Sequence, residues 1–578
     1  MQRTVVKMAG ESGMGLLSSG QILSRALKKL GYYIVSDREY PSLIKGGHSC
    51  MQIDFSDEKI HSLSRHTDVV VAFDRKGLLE YIDTMKDGGI LIHGYERHNL
   101  VPALKEKTEK KNIKVIYLPA RELAFSLGGD ELMVNMILIG ILWKVLGLDF
   151  KDIEAQVSIQ FASKPKLLEI DLKCIKAGYE AKEINGISLA VKKPTKVLET
   201  ILIDGTRSLC LGAIQAGVRC FFAYPMSPAS GVLTYLGAKS HETGMVIKQA
   251  EDEITAVQMT IGAMHMGARA LTSTSGGGYD LMTETISLSG ITETPLVVII
   301  GQRPGPGTGL PTWTGQGDFN LAVHSSHGEF PRVVVACSDP ESSYELMQHS
   351  FNLAEKFQIP VIVLSEKVVL ESHLTVDPFK ENLIPIERGL VTDHKELEAL
   401  QRTDRFKFTD NGVSKRWLPG TSPAYYYANS DEHTESGVLT EEGDAVNKMY
   451  SKRMKKVETI KNSLPDPIIY GEQNADISFI GWGSSKNAML DAIKTCGEKG
   501  IKVNYLHYDY VWPLKEDMAK KFFENNKNVY LIEGNYEGQF GEIVELKAKK
   551  QFKGRFLKYN GRAFYLEDLM EFITKNVK

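Results

Sequence analysis

Three acids in succession, Glu251-Asp252-Glu253, follow the apolar segment Met245-Val246-Ile247-Lys248 and open a run of small and apolar residues reaching Gly262-Ala263. An acid placed there stands at the carboxyl end of a strand, where open α/β sheets bind their ligands. Three more unusual segments follow predicted strands: Tyr224-Pro225-Met226-Ser227-Pro228, Thr272-Ser273-Thr274-Ser275-Gly276-Gly277-Gly278, and Gln302 through Thr312. In a parallel sheet such ends share one edge, so the four segments are expected to converge. Arg303, with the Thr308 and Thr312 hydroxyls, makes a carboxylate clamp, because guanidinium binds carboxylates in a bidentate fork. Glycines 276–278 beside Ser275 let backbone N–H groups approach a ligand. Each segment also has a plainer reading: a proline-set turn, close helix packing, or a surface ion pair.

Apolar runs of strand length lie between longer amphipathic segments, as in Val69-Val70-Val71-Ala72-Phe73, Gly89-Ile90-Leu91-Ile92 and Lys114-Val115-Ile116-Tyr117-Leu118. This alternation predicts α/β architecture, with three doubly wound, mostly parallel-sheet domains. The expected divisions are 1–190, a linker at 191–200, 201–372, a connecting segment at 373–467 without strong periodicity, and 468–578. The second block is expected to open with Ile201-Leu202-Ile203-Asp204 as a strand. The apolar stretch 133–148 is interrupted by Asn135, Gly140 and Lys144 and falls short of the ~18 residues of a membrane span, so it reads as a buried helix. The run Lys105-Glu106-Lys107-Thr108-Glu109-Lys110-Lys111 reads as a solvated helix face.

At 578 residues the chain is too long for one core, and about 150 residues per domain suggests roughly three or four domains. Its 43% hydrophobic and 24% charged residues and net charge of −3 argue against disorder and against a nucleic-acid partner. The six cysteines are scattered without a C-x-x-C pair, so no zinc or iron-sulfur site is expected. The opening residues run straight into a strand and a glycine turn, which predicts a cytoplasmic protein with free thiols. His48, His265 and His433 show no metal-ligand spacing and are expected in core or contact positions.

Taken together, the motifs resemble the fused gamma-alpha subunit of the 2-oxoacid:ferredoxin oxidoreductases, thiamine diphosphate enzymes that oxidatively decarboxylate 2-oxoacids to acyl-coenzyme A. The resemblance rests on Gly10-Glu11-Ser12-Gly13-Met14-Gly15, Lys45-Gly46-Gly47-His48 and the four strand-end segments. It extends through Leu418-Pro419-Gly420, Asp431-Glu432-His433 and Lys452-Arg453-Met454-Lys455-Lys456, then Gly481-Trp482-Gly483-Ser484, Trp512-Pro513-Leu514 and Glu533-Gly534-Asn535-Tyr536-Glu537-Gly538-Gln539. It implies a gamma domain at 1–190, a thiamine diphosphate pyrimidine-binding fold at 201–372 and a transketolase C-terminal-like domain at 468–578. Glu253 is the acid whose distance to Gly262 matches the family; there it would bond the aminopyrimidine ring and favour the tautomer that removes the thiazolium proton. Glu251 and Asp252 then read as a solvated helix start. The resemblance gives Arg303 and Thr312 the substrate carboxylate, and Ser227 a place near the reacting carbon. Tyr224, Pro225, Ser275 and Gly276 would contact the cofactor. Gly13, Gly15, Lys45, Gly46 and Gly47 would cap the site or hold coenzyme A, unless 45–47 is only a tight turn with an exposed lysine. Three positions depart from the family's usual wording: Ser227 for threonine, Gly277 for proline, and Gly205-Thr206-Arg207 for Gly-Asn-acidic.

Gly-Asp-Gly followed by Asn, the usual magnesium-diphosphate anchor, is missing from the sequence. The resemblance therefore implies a beta subunit carrying Mg²⁺ and a [4Fe-4S] cluster, with ferredoxin as electron acceptor and a dimer of alpha-beta heterodimers as assembly. 2-Oxoglutarate is the first choice of substrate; pyruvate, branched and aryl 2-oxoacids follow. Two other readings remain: a dinucleotide-dependent dehydrogenase, in which Gly10-x-x-Gly13-x-Gly15 holds a pyrophosphate and Asp37 a ribose, and an interaction module without chemistry.

Overall fold

The computed structural model describes residues 3–41, 47–95, 102–197 and 199–577. They form two compact units, Met1–Ile203 with Ser372–Pro378 and Tyr565–Met570, and Asp204–Glu371 with Phe379–Phe564 and Glu571–Lys578.

In the first unit an eight-stranded sheet runs in the order Lys114–Tyr117, Met85–His93, Thr67–Ala72, Arg3–Glu11, His48–Ser56, Tyr33–Glu39, His373–Val376, Ile201–Asp204. The first four strands are parallel, as their alternation with helices predicts. From Arg3–Glu11 onward the pairing turns antiparallel. For Tyr33–Glu39 and His48–Ser56 the reason is local: segment 40–47 is too short for the crossover of about a dozen residues that parallel neighbours need. Ile201–Asp204, expected to open the second block, instead lies at the edge of this sheet. A strand of 4 residues suits an edge, because it presents few unpaired backbone groups.

The apolar stretch at 133–148 forms the buried helix Val134–Val145, packed on Pro165–Tyr179. The helices meet at glycines: a Cβ on Gly140 would strike the Ile175 carbonyl, and one on Gly178 the Ile137 carbonyl. Among the described residues no helix is long and apolar enough to cross a membrane.

The second unit contains two sheets. The larger has the order Tyr510–Trp512, Val333–Ala336, Pro360–Glu366, Leu296–Gln302, Ala270–Thr274, Cys220–Ala223, Val246–Gln249 and is parallel except for Tyr510–Trp512. Its central strands are apolar and buried on both faces, as helix-covered parallel strands must be. The smaller sheet has the order Ile468–Gly471, Val503–Tyr508, Ile477–Trp482, Val529–Glu533, Gly554–Leu557, with only the first strand antiparallel. Phe319, Trp482 and Phe540 belong to one apolar core shared by both sheets.

The connecting segment departs from expectation, because Gly443–Ser463 is a 21-residue helix. Its buried face mixes Met449 and Ile460 with the charged Lys452, Arg453 and Lys456, which hides the helical period. Lys452 and Lys456 both pair with Glu293, Lys452 at 2.5 Å, and Arg453 grips Glu432 through two bonds of 2.7 and 2.5 Å. Burial pushes the Glu293 carboxyl up, but the two lysines outweigh it and hold the acid well below the usual range.

Candidate active site

The strands Cys220–Ala223, Val246–Gln249, Ala270–Thr274 and Leu296–Gln302 end on one edge of the larger sheet, and the segments that follow them meet there. Arg303 Nη1 donates to the Ser227 carbonyl at 2.7 Å, and the Ser275 hydroxyl lies 2.6 Å from Met226 Sδ. Glu253 opens the helix Glu253–His265.

The three neighbouring acids have separate fates. Asp252 caps the helix, its Oδ1 accepting from the Thr255 amide at 2.7 Å. Glu251 is exposed and accepts from the Thr255 hydroxyl at 3.0 Å. Glu253 is only 4% exposed, and its Oε1 has no hydrogen-bond partner among the described residues. A Cβ on Gly278 would lie 2.7 Å from that oxygen and closer still to Thr274 Oγ1. Glycine at 278 thus lets the Glu253 side chain pack directly against the helix Gly276–Thr292.

Beside Glu253 other polar atoms are similarly orphaned. Thr312 Oγ1, both amide atoms of Gln302, and Asp318 Oδ2 are buried without a partner among the described residues. Buried polar groups are normally paired, so such a cluster on a sheet's ligand-binding edge marks a place for a polar ligand. Thr308 is exposed on its loop, whereas Thr312 is buried. Tyr224 and Pro225 are exposed, Ser227 is half-buried, and Ser275 is buried at the N-cap of Gly276–Thr292.

Asp318 escaped the sequence reading, since it sits in no distinctive motif, and Gln302, though it opens the fourth segment, had no role of its own there. A Cβ on Gly276 would stand 2.5 Å from Asp318 Oδ1, so the acid abuts the start of that helix. Burial, with Asp280 nearby, pushes the Asp318 carboxyl up to about 7 against the pull of Arg303. Burial also lowers the Arg303 guanidinium, with Asp318 opposing.

In the first unit, Gly13 and Gly15 take φ of 106° and 76°, and Gly15 begins the helix Leu16–Lys29. The Ser12 amide donates to the Gly47 carbonyl at 3.1 Å, which places Gly47 beside the glycine loop. A Cβ on Gly13 would meet open space, while one on Gly15 would strike the Asn135 amide. Lys45 and Gly46 lie outside the described residues. The dinucleotide layout is not formed: His48–Ser56 separates Tyr33–Glu39 from Arg3–Glu11, both pairings are antiparallel, and Asp37 lies within its strand accepting from the Ser372 hydroxyl at 2.9 Å.

Residues 5–181 match the family model described as pyruvate ferredoxin/flavodoxin oxidoreductase, and 211–452 the model described as pyruvate flavodoxin/ferredoxin oxidoreductase, thiamine diP-bdg. The 2-oxoacid:ferredoxin oxidoreductase subunit alpha of a Sulfolobus species is 31% identical over 99% of this chain and 96% of its own length. This chain belongs to the 2-oxoacid:ferredoxin oxidoreductases, as an alpha subunit. The 2-oxoglutarate oxidoreductase subunit KorA of Mycobacterium tuberculosis is 29% identical across 90% of this chain and 84% of its own. A solved structure, 2-oxoglutarate:ferredoxin oxidoreductase from Magnetococcus marinus with 2-oxoglutarate, coenzyme A and succinyl-CoA bound, is similar with a TM-score of 0.92 and 27% identity over 100% of both chains. In this oxidoreductase subunit the thiamine diphosphate-binding match spans Glu253, Ser275–Gly278 and Arg303. The buried Glu253 oxygen, without a partner among the described residues, fits a bound heterocycle with a polar edge.

Proposed function

We propose that this alpha subunit takes 2-oxoglutarate to succinyl-coenzyme A, passing electrons to ferredoxin through a beta subunit that brings Mg²⁺, the diphosphate site and a [4Fe-4S] cluster. The buried, unpartnered Glu253 carboxylate carries this reading. The choice of 2-oxoglutarate draws support from the ligands named for the Magnetococcus enzyme and from the name of the mycobacterial relative.

Thiamine diphosphate, when bound, supplies an electron sink for decarboxylation of a 2-oxoacid. Glu253 Oε1 holds a proton on the edge of the aminopyrimidine, in a place shielded from water, where a hydrogen bond to a charged group is strong. Ser275, Gly276, Tyr224 and Pro225 wall the heterocycle. Arg303 and Thr312 hold the substrate carboxylate, and the Ser227 hydroxyl orients the keto oxygen. The Arg303 fork, tied to the Ser227 carbonyl, fixes the substrate relative to the cofactor, and positioning of this kind contributes several kcal/mol to catalysis, of order ~7 for a well-oriented pair. In block 1–190, Gly13, Gly15 and Gly47, with Lys45 and Gly46, are the candidate residues for coenzyme A. The working assembly is a dimer of alpha-beta heterodimers in the cytoplasm.

The test is co-expression with a candidate beta subunit and an anaerobic 2-oxoacid panel with coenzyme A and a low-potential electron acceptor. Turnover is expected with 2-oxoglutarate first and none for this chain alone. Glu253→Gln is expected to abolish decarboxylation while leaving the circular dichroism spectrum and melting temperature intact. Near-normal turnover of Glu253→Gln, or robust turnover by this chain alone, would remove the proposal.

A further inference from the structure

Gln316 lies four positions beyond Thr312 and is fully buried. Its Nε2 donates to Glu366 Oε1 at 2.8 Å and to the Trp482 carbonyl at 3.0 Å, and its Oε1 accepts from the Gly534 amide at 2.5 Å. Its backbone is held as firmly: the amide donates to the Gly534 carbonyl at 2.9 Å, and the carbonyl accepts from Asn535 Nδ2 at 3.0 Å.

Glu366 ends the strand Pro360–Glu366, where it pairs with Gln302, the residue before Arg303. Besides Gln316 it accepts from the Ser484 amide at 2.8 Å and the Ser484 hydroxyl at 2.7 Å. Gly483 makes the approach feasible, having φ of 60° and room for no Cβ: one would stand 2.6 Å from both Gln316 Nε2 and Glu366 Oε1. Further along the same loop, the Thr314 amide donates to the Gly561 carbonyl at 3.3 Å, and the Arg562 guanidinium lies 3.2 Å from the Trp313 ring centroid. The motifs Gly481-Trp482-Gly483-Ser484 and Glu533-Gly534-Asn535 thus close on the end of the segment that carries Arg303 and Thr312.

We propose that Gln316 and Glu366 are positioning residues for substrate binding, a clasp by which the C-terminal sheet fixes the 303–316 loop so that Arg303 and Thr312 meet the 2-oxoacid carboxylate in one geometry. The proposal rests on the reading of Arg303 and Thr312 given above. Every bond in the clasp is buried, so breaking one leaves a donor or acceptor unpaired instead of solvated, and the loop responds by shifting. Burial pushes the Glu366 carboxyl up to about 7 against its donors, so glutamine is a close mimic of its neutral form.

The experiment uses the alpha-beta holoenzyme with Gln316→Leu, Ser484→Ala, Glu366→Ala and Glu366→Gln, measuring kcat and KM for 2-oxoglutarate, KM for thiamine diphosphate, and deuterium exchange over 303–316. A displacement near 1 Å costs about a hundredfold, so Gln316→Leu and Glu366→Ala are expected to raise the 2-oxoglutarate KM about ten- to a hundredfold. Exchange over the loop should quicken while the thiamine diphosphate KM stays unchanged. Ser484→Ala removes one bond and should raise KM about three- to tenfold, and Glu366→Gln should restore both readouts. Lys486→Met is the control, because the Lys486 side chain pairs with Asp339 in the same unit and bonds neither Gln316 nor Glu366; it should lower the melting temperature only. Unchanged exchange and KM in the soluble Gln316→Leu and Ser484→Ala proteins would overturn the proposal, as would an equal KM rise in Lys486→Met. If the wild-type holoenzyme turned over no 2-oxoacid, the Arg303 reading would fall, and loop exchange alone would decide whether the clasp exists.

Discussion

Gly278→Ala separates catalysis from stability at the position where they are most tightly opposed. The added Cβ would stand 2.7 Å from Glu253 Oε1 and 2.9 Å from Glu253 Cγ, with Thr274 Oγ1 closer still. Ordinary contact needs about 3.5–4.0 Å, so the carboxylate must retreat by roughly 1 Å, the displacement that costs about a hundredfold in rate. That corresponds to about 2.7 kcal/mol of activation free energy. The fold should lose much less. Overpacking costs about 1–3 kcal/mol, but alanine in a helix is favoured over glycine by about 1 kcal/mol, and Gly278 lies within Gly276–Thr292. The assay compares kcat and melting temperature of the holoenzyme with those of Gly237→Ala, also helical, where a Cβ meets nothing within 4 Å. Gly237→Ala should keep kcat and gain slightly in stability; Gly278→Ala should lose about a hundredfold in kcat and, because its Cβ also strikes the buried Thr274 hydroxyl, a smaller share in melting temperature. A kcat within threefold of wild type would refute the reasoning that the space at Gly278 serves Glu253.

Asp318, raised to about 7 by burial and Asp280, should make the oxoacid KM depend on pH: as pH rises through about 7 the acid ionises and competes for Arg303, so KM climbs, and Asp318→Asn should flatten the profile. Glu293→Gln strands two buried lysines and should cost about 3–5 kcal/mol in chemical denaturation. Because the folded-state carboxyl of Glu293 is depressed, its stabilisation is fully present above the unfolded value of about 4.3 and is lost as pH falls from there through the folded value. A scan in which Glu293→Gln and wild type lose stability in parallel below that point would contradict the linkage. Gly178→Ala should destabilise the first unit by about 1–3 kcal/mol, read as a lower melting temperature, because its Cβ strikes the Ile137 carbonyl.

Alternation of short apolar runs with helix-length segments was enough to specify mostly parallel α/β sheets, but not the antiparallel half of the first. The order of strand ends in the chain was enough to bring Glu253, Ser275, Arg303 and Ser227 to one edge. Both follow from local rules: strand period, crossover length and the common direction of parallel strands. The charged face of Gly443–Ser463 lay beyond those rules, since only tertiary pairing shows that Lys452 and Lys456 are buried on Glu293. Three adjacent acids were likewise indistinguishable by charge or propensity. Packing separated them, turning Glu251 to solvent, spending Asp252 on the helix cap and burying Glu253 with one oxygen free. Membership of the family was legible in the motifs. The clasp on the substrate loop was not, because hydrogen bonds between residues far apart in the chain leave no period or spacing to read.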